Sequence, residues 1–167
     1  MTHRFFKGVL ASTALAAAAL ASTSAQAATA SASASAVILE QVVVTKTSDL
    51  NFGTIAIGTG GGTVTMGFTS NRTCGTGLVC SGVVTSGAFN IQGAGNQNVG
   101  INSDSSVTLT RVSGTETMSA SLTRSASTAT LTALGAGSFQ VGGVLTVGGT
   151  QVAGAYTGTF NVTVNYQ

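Results

Sequence analysis

Every second residue from 154 to 166 is apolar, aromatic or glycine, and all but one of the residues between them are polar. Gly154, Tyr156, Gly158, Phe160, Val162, Val164 and Tyr166 share one parity, whereas Thr157, Thr159, Asn161, Thr163 and Asn165 share the other. A period of two puts the first set on one face of a strand, so the pattern predicts a long amphipathic terminal strand. Shorter alternating runs predict further strands at 37–47, 50–57, 63–69, 82–92, 106–111, 116–123, 129–134 and 138–147, with the last strand at 156–166. Glycine clusters punctuate the chain at 58–62, 93–95, 135–137, 142–143 and 148–149. Two of them, Gly142-Gly143 between Val141 and Val144 and Gly148-Gly149 between Val147 and Thr150, have the chemistry of hairpin turns, because glycine accepts positive φ.

Many short strands at this spacing predict an all-β fold, an immunoglobulin-like antiparallel β-sandwich, either complete in itself or lacking a strand that a donor supplies. Alternation nominates an inward set that includes Leu50, Phe52, Ile55, Val64, Met66, Phe68, Phe89, Ile91, Leu109, Phe139 and Val141. Whether the sheets close is the functional question. A sandwich short of one strand exposes an apolar groove and two unpaired edges, and such edges seek another strand.

Charge divides the chain. Arg4 and Lys7 precede an apolar run at 8–20 that ends on the small-residue site Ala25-Gln26-Ala27. That is the form of a secretory signal peptide over residues 1–27, too short and alanine-rich for a comfortable span. Cleavage after Ala27 leaves an Ala/Ser extension at 28–36, a sandwich domain at 37–167, and no second long apolar stretch. The expected route is export through the inner membrane to the periplasm, then the cell surface or medium, with no membrane span after cleavage. Cleavage also removes His3, Arg4 and Lys7, so Lys46, Arg72, Arg111 and Arg124 balance Glu40, Asp49, Asp104 and Glu116. Four scattered cations cannot displace the counterions of a nucleic acid, which excludes that partner. So little charge suits a protein that ends packed in an assembly.

Chemistry-bearing residues are few. Cys74 and Cys80 bracket five residues, and in an exported chain a close, even pair reads as a structural disulfide. Residues 28–167 contain no histidine and one lysine, so no base is evident to activate the many serines and threonines. Two thiolates without histidine do not complete a zinc site. The glycine run at 58–62 leads into an alternating segment rather than a helix, which removes the context of a phosphate cradle. No catalytic residue, cofactor site or metal-ligand set is identified, and the reading is that of a non-enzyme.

Two elements carry a family resemblance: Leu50-Asn51-Phe52-Gly53 near the start, and the closing pattern Gly-x-Tyr-x-Gly-x-Phe-x-Val-x-Val-x-Tyr at 154–166. With them the chain resembles an uncharacterised family of small secreted bacterial β domains. Both elements are also similar to spore-coat-U-type proteins and to the pilins of archaic chaperone/usher pili. That resemblance implies a sandwich lacking its final strand, with a subunit-assembly strand formed by Gly154, Tyr156, Phe160, Val162, Val164 and Tyr166. It further implies that an N-terminal extension of one subunit fills the groove of the next, and that a periplasmic chaperone occupies the groove beforehand. The candidate donor segment contains Ala36, Ile38, Val42 and Val44. Residues 28–36 alternate perfectly, but alanine fills an apolar groove poorly, so either 37–44 extends the donor or the exchange is weak; a flexible spacer is the plainer reading of 28–36. Pilins of that group commonly carry a cysteine in the first strand and the 42–50 stretch has none, so the disulfide does not map across. The expected function is a structural subunit of a surface fibre or pilus, self-associating by strand complementation with a chaperone and usher as partners. The alternative is a stand-alone secreted sandwich that binds a surface glycan or matrix component, for which the mostly inward aromatics leave little to stack on a sugar.

Overall fold

Thr, Val, Ser and Gly dominate the alternating runs, and β-branched side chains fit a pleated surface that is buried on one side. The computed structural model describes residues 26–167; the leader assignment lies almost wholly outside them. Residues 26–36 are exposed and without regular structure, and Val37–Gln167 forms one compact unit. Within it the strands are β1 (Val43–Ser48), β2 (Thr54–Ile57), β3 (Gly62–Met66), β4 (Arg72–Cys74), β5 (Leu78–Ser81), β6 (Gly87–Gln92), β7 (Asn98–Ser103), β8 (Ser106–Arg111), β9 (Thr117–Arg124), β10 (Thr128–Thr130), β11 (Ala136–Val147), β12 (Tyr156–Thr157) and β13 (Val162–Tyr166). Every pairing is antiparallel, and no helix occurs among the described residues. The fold is therefore an all-β antiparallel sandwich.

One large sheet runs β1-β6-β11-β9-β8-β12, with β3 added to β11 and β4 to β3. Two smaller sheets, β10-β7-β13 and β2-β5, supply the opposing side. All three sheets contribute to one apolar cluster, with Phe139 and Val141 from β11, Ile91 from β6, Val99 and Ile101 from β7, Val164 from β13 and Leu78 from β5. Phe139 stacks on Phe89 with ring centroids 5.1 Å apart, and Phe160 meets Phe89 edge-on at 6.3 Å. Aromatic pairs of this kind add about 0.5–1.5 kcal/mol each beyond the area they bury.

Several expectations are corrected. Gly142 and Gly143 form no hairpin; they sit inside β11, which runs unbroken for twelve residues. At this point β11 changes neighbours, leaving β6 at Val141 and joining β3 at Gly143, while β9 pairs with its other side from Val141 to Thr146. A Cβ at Gly142 would run into the Met66 carbonyl, and one at Gly143 into the Ser121 carbonyl, so glycine serves close backbone approach here. Gly148-Gly149 does turn the chain, with the Gln151 N–H donating to the Gly148 carbonyl at 3.1 Å, but it opens a loop to Ala155 and not a paired return strand.

Phe68 is not core: it lies in the loop after β3 and is 37% exposed. The expected first strand starts only at Val43, and the 82–92 strand only at Gly87. β7 was hidden by its Asn, Gly and Ser content, although Val99 and Ile101 within it are almost completely buried. Because Ile101 joins two strands to the common core, Ile101→Ala is expected to lower stability by about 2–5 kcal/mol. Denaturant unfolding of the two proteins would measure the difference.

Candidate functional site

The terminal segment departs from the single strand its alternation predicts. Tyr156 and Thr157 form β12 on the edge of the large sheet against β8, and the chain then crosses to the three-stranded sheet, where Val162 to Tyr166 form β13 beside β7. The break falls where Gly158 passes so close to the Thr108 carbonyl and the Val107 side chain that no Cβ would fit. Asp104 fixes the far side of the crossing: its Oδ2 accepts from the Asn161 N–H at 2.7 Å, and its own N–H donates to the Asn161 carbonyl at 3.0 Å. The inward parity survives the crossing because both layers face one core. Val164 is buried, and Phe160, Val162 and Tyr166 are half-buried against the core.

Tyr156 and Gly154 stand apart from β13 and act on a loop. The Tyr156 hydroxyl donates to the Val152 carbonyl and accepts from Gln151 Nε2, both at 2.7 Å, which pins residues 151–156. Gly154 has φ +149°, and a Cβ there would press on Cγ and Cδ of Arg111 at 3.1 and 3.0 Å. Arg111 is itself held by Glu116, with Nε donating to Oε2 at 2.6 Å and Nη2 to Oε1 at 3.2 Å.

β13 is an edge strand, paired with β7 alone. The direction of its free groups follows from parity. Asn161 accepts from Asp104 and Gln167 donates to Asn98, so odd-numbered residues aim their backbone groups at β7. Val162, Val164 and Tyr166 therefore present N–H and C=O to the open edge. The Tyr166 hydroxyl accepts from the Ala94 N–H and donates to the Glu40 carbonyl, each at 2.7 Å.

Leu50-Asn51-Phe52-Gly53 is a turn and not a continuous strand: Asn51 makes a single antiparallel bridge to Thr85, its Oδ1 accepts from the Gly53 N–H at 2.9 Å, and Gly53 takes φ +80°. Arg72 braces the turn through Nη1, which donates to the carbonyls of Phe52 at 2.9 Å and Ser81 at 2.8 Å. The turn carries the chain from β1 in the large sheet to β2 in the two-stranded sheet. Between β2 and the pinned 151–156 segment lies an apolar groove of about 790 Å³. Ile55, Ile57, Leu109 and Met118 line it and remain only half-buried. The one sequence signal for this groove was the glycine of the Leu-Asn-Phe-Gly element, which ends one segment before Ile55 and Ile57 begin another.

Of the donor candidates, Val44 lies in β1 opposite Ile91 and packs with Val42 against the chain's own core. Ala36 is exposed, and Ile38 is 95% exposed beside the exposed Val37 and Leu39. Cys74 and Cys80 are joined in a disulfide with Cα atoms 6.1 Å apart, tying β4 of the large sheet to β5 of the small one. Among the described residues no group of three or more His, Cys, Asp or Glu could hold a metal ion. No helix among them is long and apolar enough to cross a membrane. The chemistry these features offer is backbone hydrogen bonding at an edge and burial of apolar side chains in a groove.

Residues 42–166 match the family described as Domain of unknown function (DUF4402). The chain belongs to that family. No curated protein matches it. The DUF4402 match runs from the residue before β1 to the last residue of β13, so it takes in the groove and the free edge.

Cys74→Ser with Cys80→Ser opens a short closed loop, and an expected loss of about 2 kcal/mol would show in denaturant unfolding. The Arg111 hydrogen bond holds the Glu116 carboxyl below its ordinary value, helped by backbone hydrogen bonds. A carboxyl depressed in the folded chain stabilises it above the unfolded value and loses that contribution as pH falls through the folded one. Between about pH 5 and pH 3 the melting temperature should therefore fall further for the wild type than for Glu116→Gln. The difference should be small, since the Glu116 side chain is 34% exposed.

Proposed function

We propose that this chain is a structural subunit of a bacterial surface fibre or pilus, assembled by strand complementation. The observation that carries this reading is the free edge of β13, where Val162, Val164 and Tyr166 direct backbone groups away from β7. An edge of this kind is a template for a strand from another chain. The half-buried floor of the groove beside β2 supports the same reading, because its apolar side chains have burial left to gain. Val37, Ile38 and Leu39 supply an exposed apolar stretch suited to the donor role, and the neighbouring alanines of 28–36 add little to it. The disulfide agrees with export to an oxidising compartment through a cleaved leader. A periplasmic chaperone and an usher would hold the edge until a second copy replaces them.

Electrophoresis of the native surface fraction in SDS, with and without boiling, tests this. A ladder that collapses to monomer only on boiling is expected. Val162→Pro removes an N–H aimed at the open edge and leaves the β7 ladder intact, so it should fold and give a single band in unboiled SDS, with no ladder. A single band in both lanes for the wild type, or a ladder that persists in the proline variant, would sink the proposal.

A further inference from the structure

The outward face of the large sheet carries no charged side chain at any strand position. Thr63, Thr146, Ser119 and Thr108 lie side by side across β3, β11, β9 and β8, and all four are exposed. Thr117 and Thr110 form the next rung. The cations of these strands all fall on the other parity: Lys46 stands opposite Phe89, Arg72 opposite Met66, Arg111 opposite Tyr156 and Arg124 opposite Val141. An ordinary exposed surface intersperses charges of both signs.

We propose that this face is an interface between two copies of the chain, packed sheet on sheet. Hydroxyls and carboxamides offer both donors and acceptors, so a face of Thr, Ser, Asn and Gln with Val43 and Val144 among them is complementary to itself, as a two-fold contact requires. A face bearing one sign of charge would repel its own copy; here no charge is desolvated and none is left unpaired. The face measures roughly 700 Å² at about 4.8 Å between strands and about 3.3 Å per residue. That is close to the roughly 800 Å² each partner contributes to a stable interface. Short side chains let two equally twisted sheets pack in the usual aligned geometry. Among the described residues the aromatic side chains lie on the inward parity or in loops, so a sugar ring would find nothing to stack on at this face. This contact uses the face of a sheet and does not depend on the edge-pairing reading.

The test is sedimentation velocity over a concentration series, using the full chain expressed with its leader and purified as exported. Val162→Pro, in which edge pairing is blocked, is the background for all variants here and is expected to show a concentration-dependent dimer. Ser119→Lys with Thr146→Lys should move its midpoint about a hundredfold or more to higher concentration, because like charges would be brought face to face. Val83→Lys, at a position 81% exposed and outside the strands, is the folded control and should leave the dimer in place. A Val162→Pro chain that stays monomeric throughout, or a dimer unmoved by the double substitution, overturns the proposal. SDS without boiling dissolves a face contact, so a boiling-sensitive ladder in the lysine variant without Val162→Pro reports on edge pairing alone.

Discussion

The structure depends on β11 bonding to three neighbours at once. One strand pairs with β9 along one side and divides the other side between β6 and β3, and the division occurs at two adjacent glycines whose neighbours' carbonyls occupy the space of a side chain. This handover gives the large sheet its breadth. It also aligns Phe139 with Phe89, so that the covering strands close on an aromatic pair. Had the glycines turned the chain, β3 and β4 would have had no strand to join.

Once the large sheet is fixed, the opposing side is built from two separate pieces. The Leu-Asn-Phe-Gly turn sends the chain into β2, and the Asp104–Asn161 contacts send it into β13. Neither piece is paired to the other. The groove and the open edge are both consequences of a covering layer made in two parts, and both concern backbone pairing and burial. The family match spans these features and carries no function of its own.

Period-two alternation was enough to read the class of fold and much of the core. Val64, Met66, Ile91, Phe139 and Val141 are inward as expected, since a residue's parity in a strand depends only on its near neighbours. Continuity was not legible. Residues 156–166 keep their parity while changing sheets, because a crossing between two layers with a common interior leaves inward residues inward. Glycine pairs were ambiguous for a related reason: the residue that permits a tight turn also permits three backbones to meet, and only the distant Met66 and Ser121 decide between them. Cys74 and Cys80 were legible as a pair, while the layers they join were not. The groove escaped notice because its lining comes from four segments far apart in the chain.

With every ionisable strand residue turned the other way, the outward face of the large sheet owes its wetting to neutral hydroxyl and amide groups alone. Such groups neither titrate in the physiological range nor gather counterions. Acidity and ionic strength leave that side of the molecule unchanged, and any body that meets it finds the same surface in dilute and concentrated media.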